Sequence, residues 1–121
     1  MIKRHKFSSK FEELDNLLLI DPLGYIDFVK LVKESKFVIT DSGGIQEEST
    51  FLAVPCLTMR ENTERPATIE KGTNYLVSRN KAKVLSCIKK ILSGKSKKGS
   101  IPELWDGKTA NRIVKILSMN Q

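Results

Sequence analysis

Short unbroken apolar runs alternate along this chain with longer stretches in which apolar residues return every third or fourth position. The first pattern marks strands buried on both faces, and the second marks helices with one apolar stripe. Asn16 to Ile20, closed by Asp21-Pro22, is the first run and predicts a buried parallel strand. A helix is predicted from Gly24 or Tyr25 to about Glu34, with Tyr25, Phe28, Val29 and Val32 on one face. Phe37 to Thr40 predicts the core strand, Ile45 to about Leu52 a helix, and Pro55 to Thr58 another strand. Glu64 to about Lys71 reads as a short helix that Gly72 ends as a C-cap, and Asn74 to Val77 as a further short strand. Helices at about Lys81 to Ser93 and Lys108 to Met119 complete the pattern, and no internal repeat is present. The first sixteen residues are poorly patterned. Regular alternation of strand and helix predicts an α/β fold with a parallel sheet and right-handed crossovers. Ligands on such sheets bind beyond the carboxyl ends of the strands. That rule sets Asp21 to Gly24, Asp41 to Gly44 and Thr58 to Arg65 on one rim.

The stretch from Phe37 to Arg65 carries the unusual residues on that rim. After the core strand, Asp41-Ser42-Gly43-Gly44 leads straight into a helix. Two adjacent glycines let backbone approach a ligand closely, and the free N–H groups of the helix start favour an anion. Ser42, Gly43 and Gly44 are therefore candidates to hold a phosphate or diphosphate; the plainer reading is a tight turn with an N-cap. Neither a Gly-x-Gly-x-x-Gly fingerprint nor a Gly-Lys-Ser/Thr loop is present. Ile45, Glu48, Ser49 and Leu52 share one helix face, and Ile45 and Leu52 suit a core. A carboxylate on that stripe needs a polar partner, which ribose hydroxyls beside a phosphate would supply. Glu47 points elsewhere and reads as a solvated surface charge. Arg65 precedes Pro66, which suits the first turn of a helix. Its planar fork fits carboxylate or phosphate, or else a surface ion pair with Glu64 or Glu61.

At 121 residues the chain is one domain at most, and 40% hydrophobic with 29% charged residues is ordinary for a soluble globular protein. No apolar run approaches the roughly 20 residues that span a bilayer. No apolar region follows the basic start as it would in a secretory signal. Cys56 and Cys87 read as small reduced residues in or near the core, which suits the cytoplasm, and one histidine with two cysteines argues against a structural zinc site. The net charge of +7 raises nucleic-acid binding. Lys81, Lys83, Lys89, Lys90, Lys95, Lys97 and Lys98 account for all of it. The first four read as the wet face of an amphipathic helix and the others as part of a flexible loop, Ser-Gly-Lys-Ser-Lys-Lys-Gly-Ser. No aromatic residues interleave them as a stacking platform requires, so nucleic acid is not the expected partner.

Asp41-Ser42-Gly43-Gly44-Ile45-Gln46-Glu47-Glu48, Arg60-Glu61-Asn62-Thr63-Glu64-Arg65-Pro66 and Gly72-Thr73-Asn74 together resemble the non-hydrolysing UDP-N-acetylglucosamine 2-epimerases. The resemblance runs from about Leu17 to the last helix. It implies a GT-B-like arrangement of two Rossmann-like domains with the active site between them, of which residues 1–121 are part of the C-terminal, UDP-sugar-binding domain. It also implies an isomerase that interconverts UDP-N-acetylglucosamine (UDP-GlcNAc) and UDP-N-acetylmannosamine (UDP-ManNAc) for cell-envelope polysaccharide. UDP is eliminated to a glycal and re-added with the opposite configuration at carbon 2; no cofactor is implied. By motif match, Ser42, Gly43 and Gly44 resemble the diphosphate loop, Glu48 the ribose-binding carboxylate, Arg65 a further UDP-sugar contact, and Phe28 the aromatic residue against the uracil; a plain core aromatic is the other reading of Phe28. Asp41 orients its turn. Leu23 departs from the family, many members of which carry Gln there. The family's acid–base carboxylates and its histidine motif have no counterpart in these residues, so the expectation is a chain that contributes no catalytic residue and is inactive or nearly so alone. A missing N-terminal domain or a partner chain would then complete it, and an open sheet edge offers a surface for a homodimer. The rival readings are a non-catalytic UDP-sugar-binding or assembly module and a fragment of a GT-B-type glycosyltransferase.

Overall fold

The computed structural model describes residues 14–121. Helix α1 (Tyr25–Glu34) leads into strand β1 (Val38–Thr40), followed by α2 (Gly43–Phe51), β2 (Cys56–Thr58), α3 (Pro66–Glu70), β3 (Asn74–Leu76), α4 (Lys81–Leu92) and α5 (Thr109–Met119). The three strands form one parallel sheet in the order β1-β2-β3. Val38 lies opposite Cys56 and Thr40 opposite Thr58, while Cys56 lies opposite Asn74 and Thr58 opposite Leu76. The α/β class, the parallel pairing and each of these elements follow the expected pattern, with ends within about two residues of the predicted ones, as assignments usually differ.

Side chains alternate across a strand, so the sheet has two distinct faces. Leu57 points to one, where it joins Val77, Cys87 and Ile91 in the apolar core with Phe37, Tyr75, Val84 and Ile88 packed around it. Helix α4 supplies Val84, Cys87, Ile88 and Ile91 to that core, and its lysines lie on the outer side. Cys56, Thr58 and Asn74 point to the other face, beneath α2 and α3. Helix α1 rests against α2.

Four expectations change. The run Leu17 to Ile20 forms no strand; its four side chains are exposed, Leu18 at 81%. An apolar run becomes a strand only when a second backbone pairs with it, and β1 meets only β2 within this sheet. Instead, Ile20 joins Pro22, Leu23, Phe28 and Leu31 around a small cleft on α1. Gly72 does follow the last turn of α3, but φ there is not left-handed. It is glycine because a Cβ would stand 2.5 Å from Thr50 Oγ1 and 2.6 Å from the Thr68 carbonyl. The lysine-rich loop is tied down. The Lys97 backbone N–H donates to the Tyr75 hydroxyl (2.6 Å), the Lys97 ammonium donates to the Ile69 carbonyl (2.6 Å), and the Ser100 N–H donates to the Lys71 carbonyl (2.7 Å). Partial burial holds the Lys97 amine below its ordinary pKa of 10.5. Finally, α2 buries Gln46, Ser49 and Thr50, whereas Ile45 and Leu52 are only half-buried. The cause is the polar sheet face that α2 covers.

Candidate nucleotide-binding site

The parallel register aligns the carboxyl ends of all three strands. Asp41 after β1, Met59 after β2 and Arg79 after β3 consequently surround one cleft of about 600 Å³, together with Arg60, Glu61 and Asn62. The Met59 N–H donates to the Thr40 carbonyl at 2.8 Å and joins the first two loops at their base. Arg79 is a rim residue that the motifs did not single out; its signal was its place just beyond the end of β3.

At the start of α2, Ser42 is the N-cap in extended geometry, and its hydroxyl makes no capping bond. Its backbone N–H is held by Thr40 Oγ1 at 3.1 Å. The N–H groups of Gly43, Gly44 and Ile45 precede the first turn and have no intrahelical acceptor. The space beside the two glycines is open: a Cβ on Gly43 would meet no atom within 4 Å, and one on Gly44 only the Ser42 hydroxyl at 3.9 Å. Ser42 and Gly44 are exposed and Gly43 is half-buried, so the turn lies at the surface.

Glu48, one turn deeper, is half-buried in a groove of about 400 Å³ with Tyr25 and Val29 of α1, Glu47 and Phe51 of α2, its C-cap Leu52, and Trp105. Repulsion by the Glu48 carboxylate across that groove raises the Tyr25 phenol above its ordinary 10.0. Glu47 is not a free surface charge. It lines the same groove, and its Oε1 lies 3.1 Å from Arg65 Nε. The partner of Arg65 is therefore neither Glu64 nor Glu61, and Glu64 is instead taken by Arg60 at 3.0 Å. The Glu64 carboxyl is held below its usual range by its own backbone N–H and then by Arg60.

Five of the six candidates, Ser42, Gly43, Gly44, Glu48 and Arg65, thus lie on α2 or reach it. Phe28 is half-buried on α1 and lines a different cleft, with Ile20, Asp21, Pro22, Leu23 and Leu31. Beneath the candidates lies a set of buried residues that sequence reasoning did not pick out: Gln46, Thr58, Thr68 and Asn74, all fully inaccessible. The Gln46 amide donates to the Ser42 carbonyl at 3.2 Å, while its oxygen accepts from Thr63 Oγ1 at 2.7 Å and from the Asn74 amide at 3.2 Å. The available signal was a threonine and an asparagine, Thr58 and Asn74, at core positions of the short strands β2 and β3, set against Gln46 in the adjoining helix.

No group of three or more His, Cys, Asp or Glu is arranged to hold a metal among the described residues. No helix among them is long and apolar enough to cross a membrane.

The sequence profile of the UDP-N-acetylglucosamine 2-epimerases matches residues 2–118. The UDP-N-acetylglucosamine 2-epimerase of Methanocaldococcus jannaschii is 40% identical over 117 residues, which are 97% of this chain and 31% of that protein. The enzyme of that name from Escherichia coli K12 is 36% identical over 110 residues, 88% of this chain and 29% of its own. This chain therefore spans about 30% of the length of these curated relatives. Among solved structures, the M. jannaschii UDP-GlcNAc 2-epimerase in complex with UDP-GlcNAc and UDP superposes with a TM-score of 0.77 at 41% identity, covering 92% of this chain and 30% of that one. The S. aureus MnaA–UDP structure also gives 0.77, at 32% identity, covering 94% and 32%. With residues 2–118 matched by the family profile and 97% of its length matched at 40% identity to a member, the chain belongs to the UDP-N-acetylglucosamine 2-epimerase family.

Proposed function

We propose that residues 1–121 are the C-terminal, UDP-holding portion of a GT-B-like UDP-N-acetylglucosamine 2-epimerase, which accepts UDP-GlcNAc and UDP-ManNAc. The observation that carries this reading is the open space beside Gly43 and Gly44 at the start of α2, next to the exposed Ser42, with the half-buried Glu48 one turn below. In the proposed complex the diphosphate oxygens accept hydrogen bonds from the Gly43 and Gly44 N–H groups and the Ser42 hydroxyl. Glu48 accepts from the ribose hydroxyls. Arg65 exchanges Glu47 for the UDP-sugar, and the uracil lies against Phe28, in the cleft that also holds Leu23. When the bond from carbon 1 to the diphosphate breaks, negative charge grows on the leaving UDP. Donors already aimed at those oxygens lower that barrier more than they stabilise the bound sugar nucleotide.

Removal and return of the proton at carbon 2 need a group within hydrogen-bond reach and a site closed to water. Residues 1–121 offer neither in the reading proposed here, so the isolated chain binds UDP weakly and does not epimerise. Trp105 shares the groove of Glu48, so its fluorescence is the natural reporter. Titration with UDP is expected to saturate, and Ser42→Ala or Glu48→Ala to weaken binding about tenfold each, the worth of one hydrogen bond to a charged group. No binding of UDP at millimolar concentration would overturn the site. Conversion of UDP-GlcNAc to UDP-ManNAc by the purified chain would overturn its catalytic incompleteness.

A further inference from the structure

The proposed UDP contacts sit on separate loops, so their relative placement must be held from below. Gln46 and Asn74 are both wholly buried, and their side-chain amides link those loops to one another and to β2. From Gln46, the amide nitrogen donates to the carbonyl of Ser42 (3.2 Å). Its oxygen accepts from Thr63 Oγ1 (2.7 Å), which in turn accepts from the backbone N–H of Arg65 (3.0 Å). The same Gln46 oxygen accepts from the Asn74 amide (3.2 Å), which also donates to Thr68 Oγ1 (3.1 Å). Thr68 Oγ1 donates to the carbonyl of Arg65 (2.7 Å). Thr58 Oγ1 closes the set by donating to Asn74 Oδ1 (2.6 Å), anchoring it in β2. Both backbone polar groups of Arg65 are thus tied, through two routes that meet at one amide oxygen, to the carbonyl of Ser42.

Simple stability does not require this arrangement. Apolar residues of the same volume fill such a space as well or better, and a buried polar network is harmful unless every member is paired. What a polar network does that an apolar plug does not is fix distance and orientation between the backbones on which it ends. Here those backbones are the glycine turn and Arg65. The amide orientations are also forced: turning Gln46 over would set its NH₂ against the NH₂ of Asn74.

We propose that Gln46 and Asn74 are positioning residues that lock the Ser42–Gly44 turn to the Thr63–Arg65 loop, so that turn and guanidinium act as one preorganised diphosphate site. The proposal rests on the UDP reading above and adds residues that touch no ligand themselves. Its signature is selectivity for phosphate: loosening the network misplaces the diphosphate donors and leaves the nucleoside contacts where they are.

The test compares UDP with uridine on the ¹⁵N-labelled 121-residue chain, by NMR titration of wild type, Gln46→Glu and Gln46→Leu. Gln46→Glu keeps the acceptor for Thr63 and Asn74 but sets an oxygen against the Ser42 carbonyl. The expected result is about tenfold weaker UDP binding with uridine affinity within about twofold of wild type. Equal weakening of both ligands, or unchanged UDP affinity in a folded variant, would overturn the proposal. Should Gln46→Leu fail to fold, Thr63→Val at the partly buried edge removes the hydroxyl between Gln46 and the Arg65 N–H, and the same split is expected. Failure of wild type to bind UDP would refute the function proposed above and leave this claim to the ligand-free spectra. There, the Gly43, Gly44 and Arg65 amide resonances should shift together in Gln46→Glu while those of α4 stay fixed; an unmoved Arg65 amide would refute the lock.

Discussion

Glu48 shows what a single residue's environment adds to its identity. Its place on the apolar stripe of α2 marked it as a carboxylate in need of a partner, and α1 sets Tyr25 in the same groove. The Glu48 charge repels the phenolate, so the folded protein holds the Tyr25 proton to a pH above 10.0. The sign follows directly. The phenol binds its proton more tightly in the folded than in the unfolded chain, so this contribution to stability is whole below pH 10.0 and is lost as pH climbs through the raised native value. In Glu48→Gln the phenol should titrate nearer to 10.0, read from the Tyr25 ring ¹³C shift between pH 9 and 12; a titration that Glu48→Gln leaves in place would refute the contact. Arg65 teaches the complementary lesson. Its charge marked it for a carboxylate or a phosphate, yet which carboxylate it meets was fixed by the approach of α2, which brings Glu47 to 3.1 Å.

Among the elements, α2 departs most from its sequence pattern. A stripe of Ile45, Glu48, Ser49 and Leu52 suggested an apolar inner face, and the helix instead buries Gln46, Ser49 and Thr50. Its C-terminal turn carries a further feature invisible to periodicity. Ala53 takes a left-handed φ of 59°, so that its own N–H reaches the Thr50 carbonyl (3.2 Å) and the Val54 N–H the Ser49 carbonyl (2.8 Å). A Cβ is costly in that region, and glycine is the usual solution at the end of a helix. Ala53→Gly should therefore stabilise the chain by about 1 kcal/mol, read as a raised urea midpoint at unchanged slope. A lowered midpoint would show that Ala53 contributes packing that outweighs its strain. Gly72 is the converse case, expected for its conformational freedom and required for its lack of a side chain.

For the whole molecule, the proposed UDP site and the fold's stability are linked by mass action. A ligand that binds only the folded chain at ten times its Kd adds about 1.4 kcal/mol. UDP at that concentration should raise Tm by a few degrees, as expected for a domain of this size, and uridine at equal concentration by less. In Arg65→Ala the excess of UDP over uridine should shrink. Equal shifts for the two ligands in wild type would leave the α2 turn without a role in binding the diphosphate.

The order of elements, the parallel sheet and the glycine turn at the end of β1 were determined by the sequence itself, because each rests on short-range pattern: apolar runs, 3.6-residue periodicity and the chemistry of glycine and proline. The family motifs were legible for the same reason, being contiguous. Tertiary structure decided whatever depends on which surface meets which. It left Leu17 to Ile20 unpaired, turned Gln46 rather than Ile45 inward, joined Arg65 to Glu47, and set Asn74 where Thr58, Thr68 and Gln46 all converge. A buried hydrogen bond between residues 28 positions apart, such as Asn74 to Gln46, leaves no periodic trace along the chain. It exists because two polar faces are pressed together out of water, where each donor and acceptor must find a partner.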